Sequence, residues 1–204
     1  MVMMIDRTLI LETVRVRLEP VRPEHLPGLA ACANDPALWE FTFSGYPFAN
    51  ENDERAWFEL ATRDGTLTFV VIDKHTNAII GSTRYFDIDD THRKLEIGWT
   101  FIARAFWRTH VNTECKYLLF RHAFETWGAN RVQLKGEAIN LRSRAAMERI
   151  GATYEGTLRA FRVHASGAIR DTSFYSVIAP EWPAVRARLE ELLGISRTES
   201  SITA

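Results

Sequence analysis

An α/β (α+β) domain built on a mixed sheet, mostly antiparallel with one central parallel pair, is what this sequence predicts. Three observations carry the prediction. Segments 66–73 with 78–87, and 152–164 with 170–179, are strand-like pairs joined by short polar turns, so each pair reads as an antiparallel hairpin. Between them, 94–102, 111–127 and 131–138 read strand, helix, strand, a spacing that makes the two strands parallel neighbours joined by a right-handed crossover. The 204 residues, 46% of them hydrophobic, suffice for one domain with a substantial core, placed at 1–195, followed by a flexible polar tail at 196–204.

Each element has a local reason. Val14, Val16 and Leu18 alternate with Arg15, Arg17 and Glu19, the period of a half-buried strand over 14–20. Pro23 and Glu24 open a helix to about residue 33, which Asn34-Asp35-Pro36 ends. Residues 41–48 are aromatic and turn-rich. Phe41, Phe43, Tyr46 and Phe48 either plug the edge of the core or present rings to a ligand. A second helix spans 50–62, with Ala56, Trp57, Leu60 and Ala61 at helical spacing. Lys74-His75-Thr76-Asn77 turns the first hairpin, and Asp89-Asp90-Thr91-His92 leads into the strand 94–102. The helix 111–127 is apolar over a broad face from Cys115 and Leu118 to Phe124 and Trp127, which suits a helix lying on a sheet, and Gly128 ends it. Asn140 caps a helix that stops at Gly151. Ser166-Gly167 turns the closing hairpin, and a last helix covers 183–193.

Charge is distributed unevenly. From Arg104 to Arg149 there are nine Lys or Arg and four acids, a local +5, whereas the rest of the chain has 16 basic and 22 acidic residues, −6. A strand that leaves through a loop into a helix start offers unpaired N–H groups and the positive end of the helix dipole. Together these point to a phosphorylated ligand. The net charge of −1 gives no general pull toward nucleic acid or an anionic membrane, and neither is expected as a partner. Cys32 and Cys115 stand far apart, as in a reduced cytoplasmic protein. Neither a signal peptide nor a bilayer-spanning apolar run is read. His25, His75, His92, His110, His122 and His164 show no metal-ligand spacing, so no metal is expected. No Gly-x-Ser-x-Gly elbow, Walker loop or dinucleotide glycine fingerprint occurs, which leaves direct group transfer.

Several motifs stand in a telling order: Glu96-Ile97-Gly98-Trp99; Trp107 with Thr113-Glu114; Asn140-Leu141-Arg142-Ser143; Glu148-Arg149-Ile150-Gly151-Ala152; and Glu155-Gly156. In order and spacing this resembles the GNAT superfamily of N-acetyltransferases, most closely the branch of the ribosomal-protein N-acetyltransferases, from about Arg15 to Ile178. The resemblance implies the acyl-CoA N-acyltransferase fold, with helices on both faces of the sheet. It also implies acetyl-CoA as cosubstrate and transfer to a primary amine, on a protein N-terminus or a small molecule, by direct attack in a ternary complex. On that basis Phe101 and Ile102 pair with the pantetheine arm and supply an N–H to the carbonyl. Arg108, Thr109, His110, Val111, Asn112 and Thr113 form the pyrophosphate loop and helix start, and Asn140 and Ser143 lie near the pantetheine and sulfur. There is one departure. The family loop, Arg/Gln-x-x-Gly-x-Gly/Ala, has His110 and Asn112 here in its glycine positions. A glycine-free loop still presents its N–H groups if its residues stay right-handed. The departure motivates a second reading, a non-catalytic CoA- or nucleotide-binding protein of the same fold. A third is a peptide-binding module on residues 41–48.

Acetyl transfer to an amine needs that amine neutral, the carbonyl polarised and the departing thiolate protonated. Glu96 is the candidate base. Strand alternation puts it with Gly98 and Thr100, opposite Leu95, Ile97, Trp99 and Phe101. The alternative is a structural ion pair with an arginine such as Arg84. Ser143 and Tyr175 compete for the acid, against a helix cap for the first and a core or rim tyrosine for the second. Fold resemblance does not name the acceptor, and homodimerisation is left open.

Overall fold

The computed structural model describes residues 5–42, 45–164 and 166–195. Phe43 of the aromatic stretch and the tail expected at 196–204 lie outside them. In chain order the elements are β1 Leu11–Glu12, β2 Val16–Pro20, α1 Leu26–Ala33, α2 Glu51–Thr62, β3 Leu67–Asp73, β4 Ala78–Asp89, β5 Lys94–Ile102 and α3 Val111–Arg121. After these come β6 Arg131–Glu137, α4 Leu141–Arg149, β7 Thr153–Val163, β8 Ile169–Ile178 and α5 Trp182–Leu193. The strands form one sheet in the order β1-β2-β3-β4-β5-β6-β8-β7. All neighbours are antiparallel except β5 and β6.

β3 is buried on both faces, which its run Leu67-Thr68-Phe69-Val70-Val71-Ile72 anticipates. Phe69 and Val71 face α3 and α5 in one core, and Val70 and Ile72 face α1 and α2 in the other. α2 starts where Asn50 Oδ1 accepts from the N–H groups of Asn52 and Asp53, with Glu51, Asp53 and Glu54 in its positive first turn. The helix expected over 111–127 is α-helical only to Arg121. A π-type turn follows over His122–Thr126, where the Trp127 N–H bonds to the His122 carbonyl at 3.1 Å.

Two irregularities create the site. β5 and β6 pair over only three positions, Lys94↔Arg131, Leu95↔Val132 and Glu96↔Gln133. β5 then follows β4 to Ile102 while β6 follows β8, so the parallel strands splay apart. On the other edge of β5, Ser82 pairs Phe101 but Arg84 pairs Gly98, leaving Trp99 and Thr100 opposite Thr83 alone. This is a β-bulge, and Trp99 takes φ +51° there. The extra residue corrects the expected alternation. Thr100 turns toward α3, where Lys116 reaches it, and Phe101 joins the α1/α2 core on the face of Glu96.

Candidate active site

The splay between β5 and β6 opens a cleft of about 990 Å³. Residues 96–102 and 134–137 line it, with the loop after β5 and the first turns of α4. Among the described residues no three His, Cys, Asp or Glu are grouped to hold a metal ion, and no helix is long and apolar enough to cross a membrane.

One end of the cleft is the start of α3. Trp107 Nε1 donates to the Ile102 carbonyl at 2.7 Å, and Thr109 Oγ1 to that of Phe106, which folds the loop back on β5. The right-handed loop expected without glycine is not what forms. Arg108 is left-handed at φ +60°, whereas His110, where the first glycine was missing, is right-handed and Asn112 is already helical. The missing glycines therefore fall at positions that need none. The first-turn N–H groups of Asn112 and Thr113 have no backbone acceptor among the described residues. Arg108, Lys116, Arg142 and Arg149 line the same cleft, and no carboxylate lies within ion-pair distance of any of the four among the described residues. Arg142 stacks on Trp107 at 3.8 Å, and Arg149 Nη2 donates to Thr113 Oγ1 at 2.9 Å. Free N–H donors in a cleft lined by cations without counter-ions among the described residues fit the diphosphate of a CoA-type ligand.

Of the residues expected here, Arg108, Thr109, Asn112, Phe101, Ile102, Asn140 and Ser143 line the cleft. Val111 is buried in the core, Thr113 is occupied by Arg149, and His110 makes no capping bond. In the sequence, Lys116 enters only through the net +5, and Arg142 and Arg149 through that count and as members of the resemblance motifs, with no binding role given to any of the three. Their spacing along two helices gives no sign that they converge.

Lys116 is 6% exposed, and among the described residues its Nζ hydrogen-bonds only Thr100 Oγ1, at 3.1 Å. Burial lowers its pKa to about 8. The folded protein thus carries a cost for this charge below pH 8, and the cost fades as pH rises from about 8 to 10.5, where the unfolded chain also loses the proton. Lys116→Met is expected to raise stability by about 2–3 kcal/mol at pH 7, with the gain shrinking across that window in denaturant titrations.

The other end holds Glu96, 1% exposed. Its Oε2 accepts from Gln133 Nε2 at 2.9 Å and Lys135 Nζ at 2.6 Å, both on β6. The ion pair considered with Arg84 forms instead with Lys135, because Glu96 faces the last paired position of the parallel strands. Glu96 Oε1 has no protein partner among the described residues and lies beside Gly98. Burial raises the pKa of Glu96, against the hydrogen bonds and charge of Lys135 and Gln133, and Asp87 adds a smaller push upward.

The two hydroxyls separate clearly. Asn140 Oδ1 accepts from the Ser143 N–H at 3.0 Å, so Asn140 caps α4 and Ser143 does not. Ser143 Oγ makes no hydrogen bond among the described residues. It faces Gly136, where a Cβ would approach it to 3.1 Å. Tyr175 lies under the sheet against α4. Its hydroxyl accepts from Arg144 Nε at 3.1 Å and donates to Glu148 Oε1 at 2.8 Å, and it does not line the cleft. Burial is the main cause that raises its pKa. The aromatic stretch divides: Phe48 fills the α1/α2 core, while Phe41 and Pro47 line the cleft beside Trp39, Trp57 and Trp99.

A family model described as "Acetyltransferase (GNAT) domain" matches residues 15–153. The "Putative ribosomal N-acetyltransferase YdaF" of Bacillus subtilis (strain 168) is 32% identical over 108 residues, 53% of this chain. That match spans 58% of the relative's own length. The solved structure of a "GCN5-related N-acetyltransferase from Brucella melitensis" superposes with a TM-score of 0.85 at 30% identity, covering 92% of this chain and 86% of that one. A "putative acetyltransferase" from T. thermophilus gives 0.84 at 38% identity, covering 93% and 100%. The family match takes in β2 to the start of β7, and with them the splayed strands, the helix start and the α4 cap that build the cleft, so this chain belongs to the GNAT acetyltransferase family.

Proposed function

We propose that this protein transfers the acetyl group of acetyl-CoA to a primary amine by direct attack within a ternary complex. The observation that carries this reading is a single cleft with two different ends. One end has free helix-start donors among uncompensated cations, and the other a buried carboxylate with one open oxygen. Asn112, Thr113, Arg108, Arg142 and Arg149 would hold the phosphates, and the β5 edge at Phe101 and Ile102 the pantetheine. Acetyl-CoA supplies an activated acetyl thioester. Glu96 Oε1 takes a proton from the amine, directly or through water, while Lys135 and Gln133 fix its carboxylate. Ser143 Oγ, beside Gly136 and without a hydrogen bond among the described residues, is the assigned proton donor to the leaving sulfur, in preference to Tyr175. The likeness to a ribosomal N-acetyltransferase keeps protein N-termini among the acceptor classes. The glycine-free loop gives no support to a purely binding role, since His110 and Asn112 occupy positions any residue adopts.

Thiol release from acetyl-CoA with a panel of primary amines tests the reading. Amine-dependent release is expected, and CoA binding without any such release sinks it. Ser143→Ala is expected to lower kcat about 10–100-fold with unchanged CoA affinity and Tm, since a proton donor acts mainly in the transition state. Tyr175→Phe should keep its rate and lose stability. The reverse pattern moves the acid to Tyr175.

A further inference from the structure

Arg84 is a buried charge that the transfer chemistry leaves unused. It is 3% exposed, and its Nε is buried without an acceptor. Lys135, Arg104 and Arg170 have carboxylates at 2.6, 3.7 and 3.8 Å, but no carboxylate lies within ion-pair distance of Arg84 among the described residues. Its guanidinium is held between two indoles that line the cleft, with its carbon 4.7 Å from the centre of Trp99 and 5.7 Å from that of Trp57. Burial, with the nearby cation Arg63, lowers its pKa to about 10, so it stays charged at neutral pH. Withdrawing a cation from water without a counter-ion costs more than two cation–π contacts return. A ligand that brings the missing anion gains what the fold forgoes.

The register places this charge on the reacting side. Arg84 stands opposite Gly98 across β4 and β5, so it shares the face of Glu96. The Phe86 ring and Glu96 Oε1 lie over Gly98, and Arg84 meets the cleft through the indoles of Trp57 and Trp99 rather than lining it itself. We infer that Arg84 anchors an oxyanion of the acceptor: the substrate is an amine that also carries a carboxylate or a phosphate, seated against Trp57 and Trp99 with its amine toward Glu96. This rests on the transfer reading above and narrows its substrate class.

Calorimetric titration of CoA-saturated protein tests it without requiring turnover. The probes are two matched pairs, phenylalanine against phenylalaninamide and O-phosphoethanolamine against ethanolamine. One anionic member is expected to bind at least about tenfold more tightly than its neutral partner, and the pair that does so distinguishes carboxylate from phosphate. Arg84→Met should erase the preference while keeping or raising Tm, and Arg84→Lys should retain part of it. Equal binding within both pairs overturns the inference, as does no binding of either anion at about 10 mM. So does a preference that survives Arg84→Met, or an Arg84→Met variant that no longer folds, which would assign Arg84 to the core. Thiol release is followed separately with the same amines. Failure of the transfer reading then shows as binding without release, and failure of this inference as release without charge preference.

Discussion

Glu96→Gln is expected to lower kcat by roughly 10²–10⁴, the range for loss of a general base, with CoA affinity unchanged. The amide keeps the shape and the bond to Gln133 but cannot take a proton. Because burial outweighs Lys135 and holds the Glu96 pKa above its ordinary value, the acid limb of the wild-type rate profile should inflect above the usual carboxylate range. That limb should vanish in Glu96→Gln. The same raised pKa has a stability consequence. Glu96 carries no penalty below its unfolded value of 4.5, and the penalty grows as pH rises through the higher folded value. Removing the carboxylate also strands Lys135, 13% exposed, at a cost of about 3–5 kcal/mol for a broken buried pair. Adding Lys135→Met removes the stranded charge. Stability should then recover while turnover does not. If turnover recovers with stability, or Glu96→Gln keeps a near-normal rate and profile, Glu96 is an ion-pair residue and the proton passes to water.

What the sequence reveals about such a fold follows from the range of each interaction. The hairpins, the strand–helix–strand unit and the Asn140 cap were legible because alternation, helical spacing and capping act within a few residues. The mixed sheet with its parallel pair followed from them. The bulge at Trp99 was not legible, because nothing in Gly98-Trp99-Thr100 signals an extra residue; the partner strand decides it, and one residue inverts every facing beyond it. The π-type turn after Arg121 likewise hides inside a continuous apolar pattern. β1, two residues long, is defined by pairing with β2 rather than by its own sequence. In the site, the clustering of charge was visible as a count, but its geometry was not. Lys135 is 39 residues from Glu96, and Arg149 is 36 from Thr113. Only the topology puts them in contact.

Arg149→Glu is expected to weaken CoA binding about 10²-fold, since it removes one charge-assisted contact and adds a repulsion at the phosphate end. The fold should survive. The new carboxylate would stand beside the positive start of α3, which favours it, against a loss of about 0.3–1 kcal/mol for placing an acid in the last turn of α4. The bond from Arg188 Nε to residue 149 uses the backbone carbonyl and is untouched. Arg159→Glu, exposed on β7 and away from the cleft, makes the same change in net charge and should leave CoA binding unchanged. The pair therefore separates a local contact from a general effect of charge. Raising salt should narrow the difference between wild type and Arg149→Glu, because part of it is screened attraction. If Arg149→Glu and Arg159→Glu bind CoA alike, the phosphates do not rest on the start of α3, and the free N–H groups of Asn112 and Thr113 serve another anion.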